Sequence, residues 1–107
     1  MSNDAGKQAI ERYAKVAREL ASLFRERGDM LAEQANTRVS AYQQAVVEGE
    51  NVSTARHLAD LAVDYHTQEI AKLNGELEAF TVELRYLDQL LLFVANMNDN
   101  TKGQTDA

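Results

Sequence analysis

Two histidines, His57 and His66, are the side chains of this 107-residue chain best suited to acid–base or metal chemistry near neutral pH. On a helix, His57, Asp60 and Asp64 fall at i, i+3 and i+7, one face from which a metal ion could be held. His66 and Glu69 stand at i and i+3. A di-iron carboxylate bundle, however, places a Glu three residues before each His. Here those positions hold Thr54 and Val63. Thr54, His57 and Asp60 are expected to face solvent as ordinary surface residues, so no metal ligand is assigned. A metal-binding helical bundle stays as an alternative.

Nucleophilic chemistry finds less support. The serines are Ser2, Ser22, Ser40 and Ser53, and there is no cysteine. No strand is evident from which a serine could be turned sharply into a helix, and no glycine-rich loop is present to cradle a phosphate. The expectation is a protein that is not an enzyme and carries no cofactor. Asn51-Val52-Ser53 fits a glycosylation acceptor. MSNDAGKQAIERY lacks the apolar centre of a signal peptide, so that match is read as coincidence. Arg27-Gly28-Asp29 is read in the same way, because in a helix it is not offered as a loop.

Charge narrows the partners. The net charge is −6, distributed unevenly. Residues 1–50 hold seven Lys/Arg against eight Asp/Glu, for −1, and residues 51–107 hold four against nine, for −5. The basic residues of the first half, Arg12, Lys15, Arg18, Arg25, Arg27 and Arg38, alternate with Glu11, Glu19, Glu26 and Glu33. Such a surface repels nucleic acid and anionic lipid, so neither nucleic acid nor membrane is expected as a partner. No run of apolar residues approaches the length of a membrane span. The expected location is cytoplasmic.

The elements that would position these residues are helices. Proline, cysteine and tryptophan are absent, and good helix formers dominate. The first apolar series is Ile10, Tyr13, Ala17, Leu20 and Phe24, with 3–4 spacing, continuing through Leu31, Ala35, Val39, Tyr42 and Val46 after a slip near Gly28. It stops at EGENVS, where Gly49 and Asn51 suit a turn and Ser53 suits a helix cap. The second series settles into Leu73, Leu77, Phe80, Leu84, Leu87, Leu91 and Val94, spaced 4, 3, 4, 3, 4, 3.

The expected organisation is a flexible start at 1–4, a helix over about 5–48, a turn at 49–52, a second helix over about 53–97, and a disordered tail at 98–107. Asp4 would cap the first helix. A short loop between long helices makes them antiparallel neighbours, which gives an all-α, coiled-coil-like antiparallel helical hairpin. Gly28 and Gly75 fall at similar heights and leave two readings, continuous helices or a break at one or both.

LRYLDQLLLFV, residues 84–94, holds more leucine than one seam needs. Leu84, Leu87, Leu91 and Val94 face the first helix. Val82, Tyr86, Leu90, Phe93 and Met97 make a second stripe at spacings 4, 4, 3, 4, with a partial counterpart in Val16 and Leu23. Apolar stripes of this kind mark interaction sites. These seven residues are the expected self-association or partner-binding surface. Two hairpins would close a four-helix bundle about a two-fold axis, as a homodimer. The function expected is that of a non-catalytic protein–protein interaction module, an adaptor, assembly factor, chaperone or inhibitor, acting on itself and on another protein.

In length and hairpin shape the chain resembles the WXG100 class of small secreted helical proteins. Its turn, Glu48-Gly49-Glu50-Asn51, lacks that class's Trp-x-Gly, and the Tyr-x-x-x-Asp/Glu spacing occurs only at Tyr65 to Glu69, mid-helix. The resemblance implies an alternative, a helical-hairpin effector or carrier exported without a signal peptide.

Overall fold

The computed structural model describes the backbone of residues 2–106 and the side chains of residues 4–97. Among the described residues the chain is all-α, with α1 at Ser2–Val47, α2 at Val52–Ala62 and α3 at Asp64–Asp106. Gly28 and Gly75 lie inside α1 and α3, which run through them unbroken. Nothing stands within 4 Å of where a Cβ would be at either glycine. The cost of each glycine, about 1 kcal/mol against alanine, is therefore small beside the long hydrogen-bonded ladder around it. Asp4 lies within the first turn of α1, where its carboxylate faces the positive end of the helix. The disordered tail expected at 98–107 falls on residues whose side chains lie outside those described, α3 being bounded at Asp106.

The turn after α1 is built by glycine. Gly49 takes φ 83°, a left-handed conformation that costs a Cβ-bearing residue and suits glycine. Its N–H donates to the carbonyl of Val46, and the N–H of Glu50 donates to that of Ala45, each at 3.0 Å. This is the Schellman pattern, which satisfies carbonyls left open at a helix end. Asn51 then caps α2, its side-chain oxygen accepting from the Thr54 N–H at 2.8 Å. The cap is Asn51, two residues before the expected Ser53, because from Asn51 the side-chain oxygen reaches the third N–H beyond it.

The second helix is not continuous. It stops at Val63, which has φ −105° and ψ 10°, and resumes at Asp64. The inward residues explain the interruption. Ala55, Ala59 and Val63 are buried at intervals of four. An α-helix turns every 3.6 residues, so each such step drifts by about 40°. A non-helical residue at Val63 resets the phase, and the inward series continues with a half-buried His66, a half-buried Ile70 and a buried Leu73. Thr67 steadies the junction, donating from both its N–H and its Oγ1 to the Val63 carbonyl, at 2.9 and 3.1 Å.

The chain divides into two compact units, Met1–Ser22 with Leu77–Ala107, and Leu23–Glu76. In the first unit the buried residues are Ala9, Val16, Leu20, Leu77 and Leu87. A Cβ on Gly6 would lie 3.5 Å from Val94 Cγ1, and Arg12 reaches Glu83, so the two helices pass one another antiparallel. In the second unit the buried residues are Leu23, Ala45, Ala55, Ala59, Val63 and Leu73. There Arg27 bonds Asn74, Gln34 bonds Thr67 and Arg38 bonds Asp60, again in antiparallel order.

The α3 seam follows the expected residues. The α1 seam is corrected by one position. Ile10, Phe24, Leu31 and Val39, expected inside, are exposed, while Val16 and Leu23, expected outside, are buried. Tyr13 and Leu20 belong to both series. The inward sequence from Ala9 through Tyr13, Val16, Leu20, Leu23, Arg27, Met30 and Gln34 keeps 3–4 spacing across Gly28, without the expected slip.

Candidate functional site

In the first unit, Arg12 Nε donates to Glu83 Oε1 at 2.6 Å. The bond, aided by opposite charge, holds the Glu83 carboxyl below its ordinary range and raises the Arg12 guanidinium, both against a smaller desolvation effect. The pair marks one side of the α1–α3 contact. Tyr86, Leu90 and Phe93 follow Glu83 by three, seven and ten residues, so they share its side of α3. Val82 and Met97 extend this apolar strip, Val82 over the back of α3.

These side chains are strongly solvent-facing: Val82 is 58 % exposed, Tyr86 63 % and Phe93 61 %. Leu90 is half-buried, and Met97 is exposed. Of the seven residues expected to form an interaction surface, the structure gathers five along α3. It places the other two, Val16 and Leu23, in the interiors of the first and second units. Val16 has no exposed surface at all, so it has nothing to offer a partner.

Two further apolar residues, not assigned to that surface, are exposed on another side of the helix pair. Ile10 is 59 % exposed and Leu92 is 64 % exposed. Ile10 precedes Arg12 by two residues, about 200° around the helix, and Leu92 follows Glu83 by nine, about 180° around. Both therefore lie on the side of the contact away from the ion pair. Ala14, Ala17 and Ala21 continue from Ile10 at i+4, i+7 and i+11. The available signal was this doubling of the α1 pattern, two apolar series offset by one residue.

The second unit is laced with polar contacts. Besides the bonds already described, the His66 imidazole lies in the seam with Nε2 3.8 Å from Glu33 Oε2, and the Tyr65 ring meets it edge-on at 5.7 Å. His66 Nδ1 is buried and makes no hydrogen bond. Arg27 lies over the Phe24 ring at 5.2 Å. His57 is exposed, while Asp60 is taken by Arg38 and Asp64 by Gln68 Nε2 at 2.9 Å. Thus the His57, Asp60 and Asp64 face directs both of its carboxylates to neighbours within the protein. Among the described residues no three His, Cys, Asp or Glu side chains come together as metal donors.

A groove of about 230 Å³ opens near the turn, lined by Ala41, Gln44, Ala45, Glu48 and Leu58. Its polar rim is internally bonded, Gln44 Nε2 donating to Glu48 Oε1 at 3.2 Å. Among the described residues no helix is long and apolar enough to cross a membrane. Large apolar side chains are exposed in the second unit as well, among them Val47, Val52, Leu61 and Tyr65. No protein-family model matches this chain, and neither a curated protein nor a solved structure matches it.

Proposed function

We propose that this chain is a non-catalytic helical interaction module. Its helices form an antiparallel hairpin, and its first partner is a second copy of itself, the two hairpins together making a four-helix bundle. The observation that supports this reading is the run of Val82, Tyr86 and Phe93, each more than half exposed on one helix. Burying a large apolar side chain contributes about 1.5–3 kcal/mol, and a hairpin that leaves several in water gains by covering them. The acidic charge of −6 disfavours nucleic acid and selects basic or mixed protein surfaces as further partners.

The test is mass in solution, measured by sedimentation or light scattering from micromolar to near-millimolar concentration. Wild type is expected to associate. Tyr86→Glu and Phe93→Glu are expected to remain helical and to shift to monomer, because a buried unpaired carboxylate opposes the contact. A wild-type protein that stays monomeric throughout would end this reading.

A further inference from the structure

We infer that Asn74-Gly75 is a self-modifying site, where water slowly converts the Asn74 amide to a carboxylate at a rate set by opening of α3, and that Arg27 receives the product. Asn74 is the one asparagine of the chain followed by glycine. Both residues are exposed, and nothing stands within 4 Å of where a Cβ would be at Gly75. No side chain therefore keeps the Gly75 nitrogen from the Asn74 carboxamide. In the reaction that nitrogen gives up its proton and bonds to Asn74 Cγ. The Cγ–Nδ2 bond breaks, and ammonia leaves with the proton. Water then opens the cyclic imide and restores the Gly75 N–H. Opening at the side-chain carbonyl gives aspartate, and opening at the main-chain carbonyl gives isoaspartate.

The helix controls the first step. Within α3 the Gly75 N–H points back along the ladder toward the carbonyl of Ala71, where its hydrogen is engaged. Across the seam, Arg27 Nη1 donates to Asn74 Oδ1 at 3.0 Å and holds the carboxamide toward α1. That bond also draws charge from Cγ, which aids attack only when the nitrogen is in reach. The closed helix is therefore inert, and reaction passes through local opening. Asparagine and glycine are weak helix formers, so α3 opens more readily here than among the Leu, Glu and Ala residues that follow. The product suits the same partner. Aspartate at position 74 turns a contact with a neutral amide into one between opposite charges, a stronger hydrogen bond. Arg27, half-buried and lying over the Phe24 ring at 5.2 Å, is already in place to meet it. Glu78, four residues further along α3, opposes the change with a like charge. Isoaspartate adds a methylene to the main chain and does not keep the ladder.

The full chain, incubated for weeks at mildly alkaline pH, tests this. The readout is the mass of the tryptic peptide spanning residues 73–85, in which an acid replaces an amide. Folded wild type should convert slowly, and the same protein in urea several-fold faster. Gly75→Ala should all but stop conversion in both, because a Cβ then crowds the nitrogen. Arg27→Leu, which keeps bulk in the seam, should leave the rate in urea unchanged. It should raise the folded rate about two- to tenfold, the effect of one hydrogen bond on the opening equilibrium. Should Arg27→Leu lose its helix by circular dichroism, Arg27→Met takes its place. Asn74→Asp, standing for the product, should match or exceed wild type in thermal stability at low salt. Combined with Arg27→Leu it should fall below Arg27→Leu alone, since only the repulsion from Glu78 is left. No conversion of folded wild type would overturn the site. Equal rates in buffer and urea, or an Arg27→Leu rate equal to wild type, would overturn its control by α3 and Arg27. An Asn74→Asp protein that melts below wild type would overturn the fit of the product.

Discussion

The two units solve the same packing problem differently. The first relies on bulk: Val16, Leu20, Leu77 and Leu87 fill it, and the Arg12–Glu83 ion pair borders it. The second relies on fit: three of its six buried residues are alanines, and Arg27, Gln34 and Arg38 reach across to Asn74, Thr67 and Asp60. Bulk supplies free energy without specifying alignment, since leucine packs acceptably against any leucine one heptad away. Polar cross-pairs supply little free energy, about 0.5–1.5 kcal/mol each, but a shifted alignment leaves them unmade. The second unit is thus suited to setting the register of the helices and the first to supplying packing free energy, while both leave large apolar side chains exposed.

That contrast can be broken at its strongest point. Leu87→Ala in the first unit should lower stability by about 2–5 kcal/mol, through lost transfer free energy and a residual cavity, read from a denaturant melt. In the second unit the damaging change has the opposite sense. Ala59→Leu forces bulk into a site with no exposed surface and should cost about 1–3 kcal/mol. Equal tolerance of leucine at Ala59 and at exposed Ala79 would mean that close fit does not distinguish the second unit.

A smaller effect sharpens the account of the turn. Asn51→Ala should cost about 1 kcal/mol through loss of the cap on α2. Ser53→Ala should change stability little, because the hydrogen bond to Thr54 comes from Asn51. The smallest effect concerns the border of the first unit. Glu83 is held below its ordinary pKa by Arg12, so the stabilisation from this pair is present above the usual glutamate range and is lost as the pH falls through and below that range and acid titrates the folded carboxylate. Arg12→Gln should flatten that acid limb of the stability profile, and salt should reduce it in wild type, since the pair is solvent-screened.

How much of this was legible follows from the residues. The α3 seam from Leu73 to Val94 was readable because its large residues repeat at 3–4 spacing with charged neighbours. The α1 seam was misread by one position because α1 satisfies the rule twice, with Ile10, Ala17 and Phe24 beside Ala9, Val16 and Leu23. Large residues in the outer series and Arg27 and Gln34 in the inner one favoured the wrong choice. Those two polar residues sit inward because Asn74 and Thr67 await them, a pairing visible only once the helices are side by side. The interruption at Val63 carries no proline or glycine to announce it. Its trace is the four-residue interval from Ala55 to Ala59 to Val63, meaningful only when the inward face is known. Of the candidate surface, the α3 strip was readable from spacing, whereas the exposure of Ile10 required the correct α1 phase.

Val63 has one more consequence. Its carbonyl is held by Thr67 Oγ1, and that same hydroxyl receives a hydrogen bond from Gln34 Nε2 of α1 at 3.0 Å. The interruption is thus tied to the facing helix by a two-bond relay within the second unit, so a change at residue 34 reaches the junction without touching it.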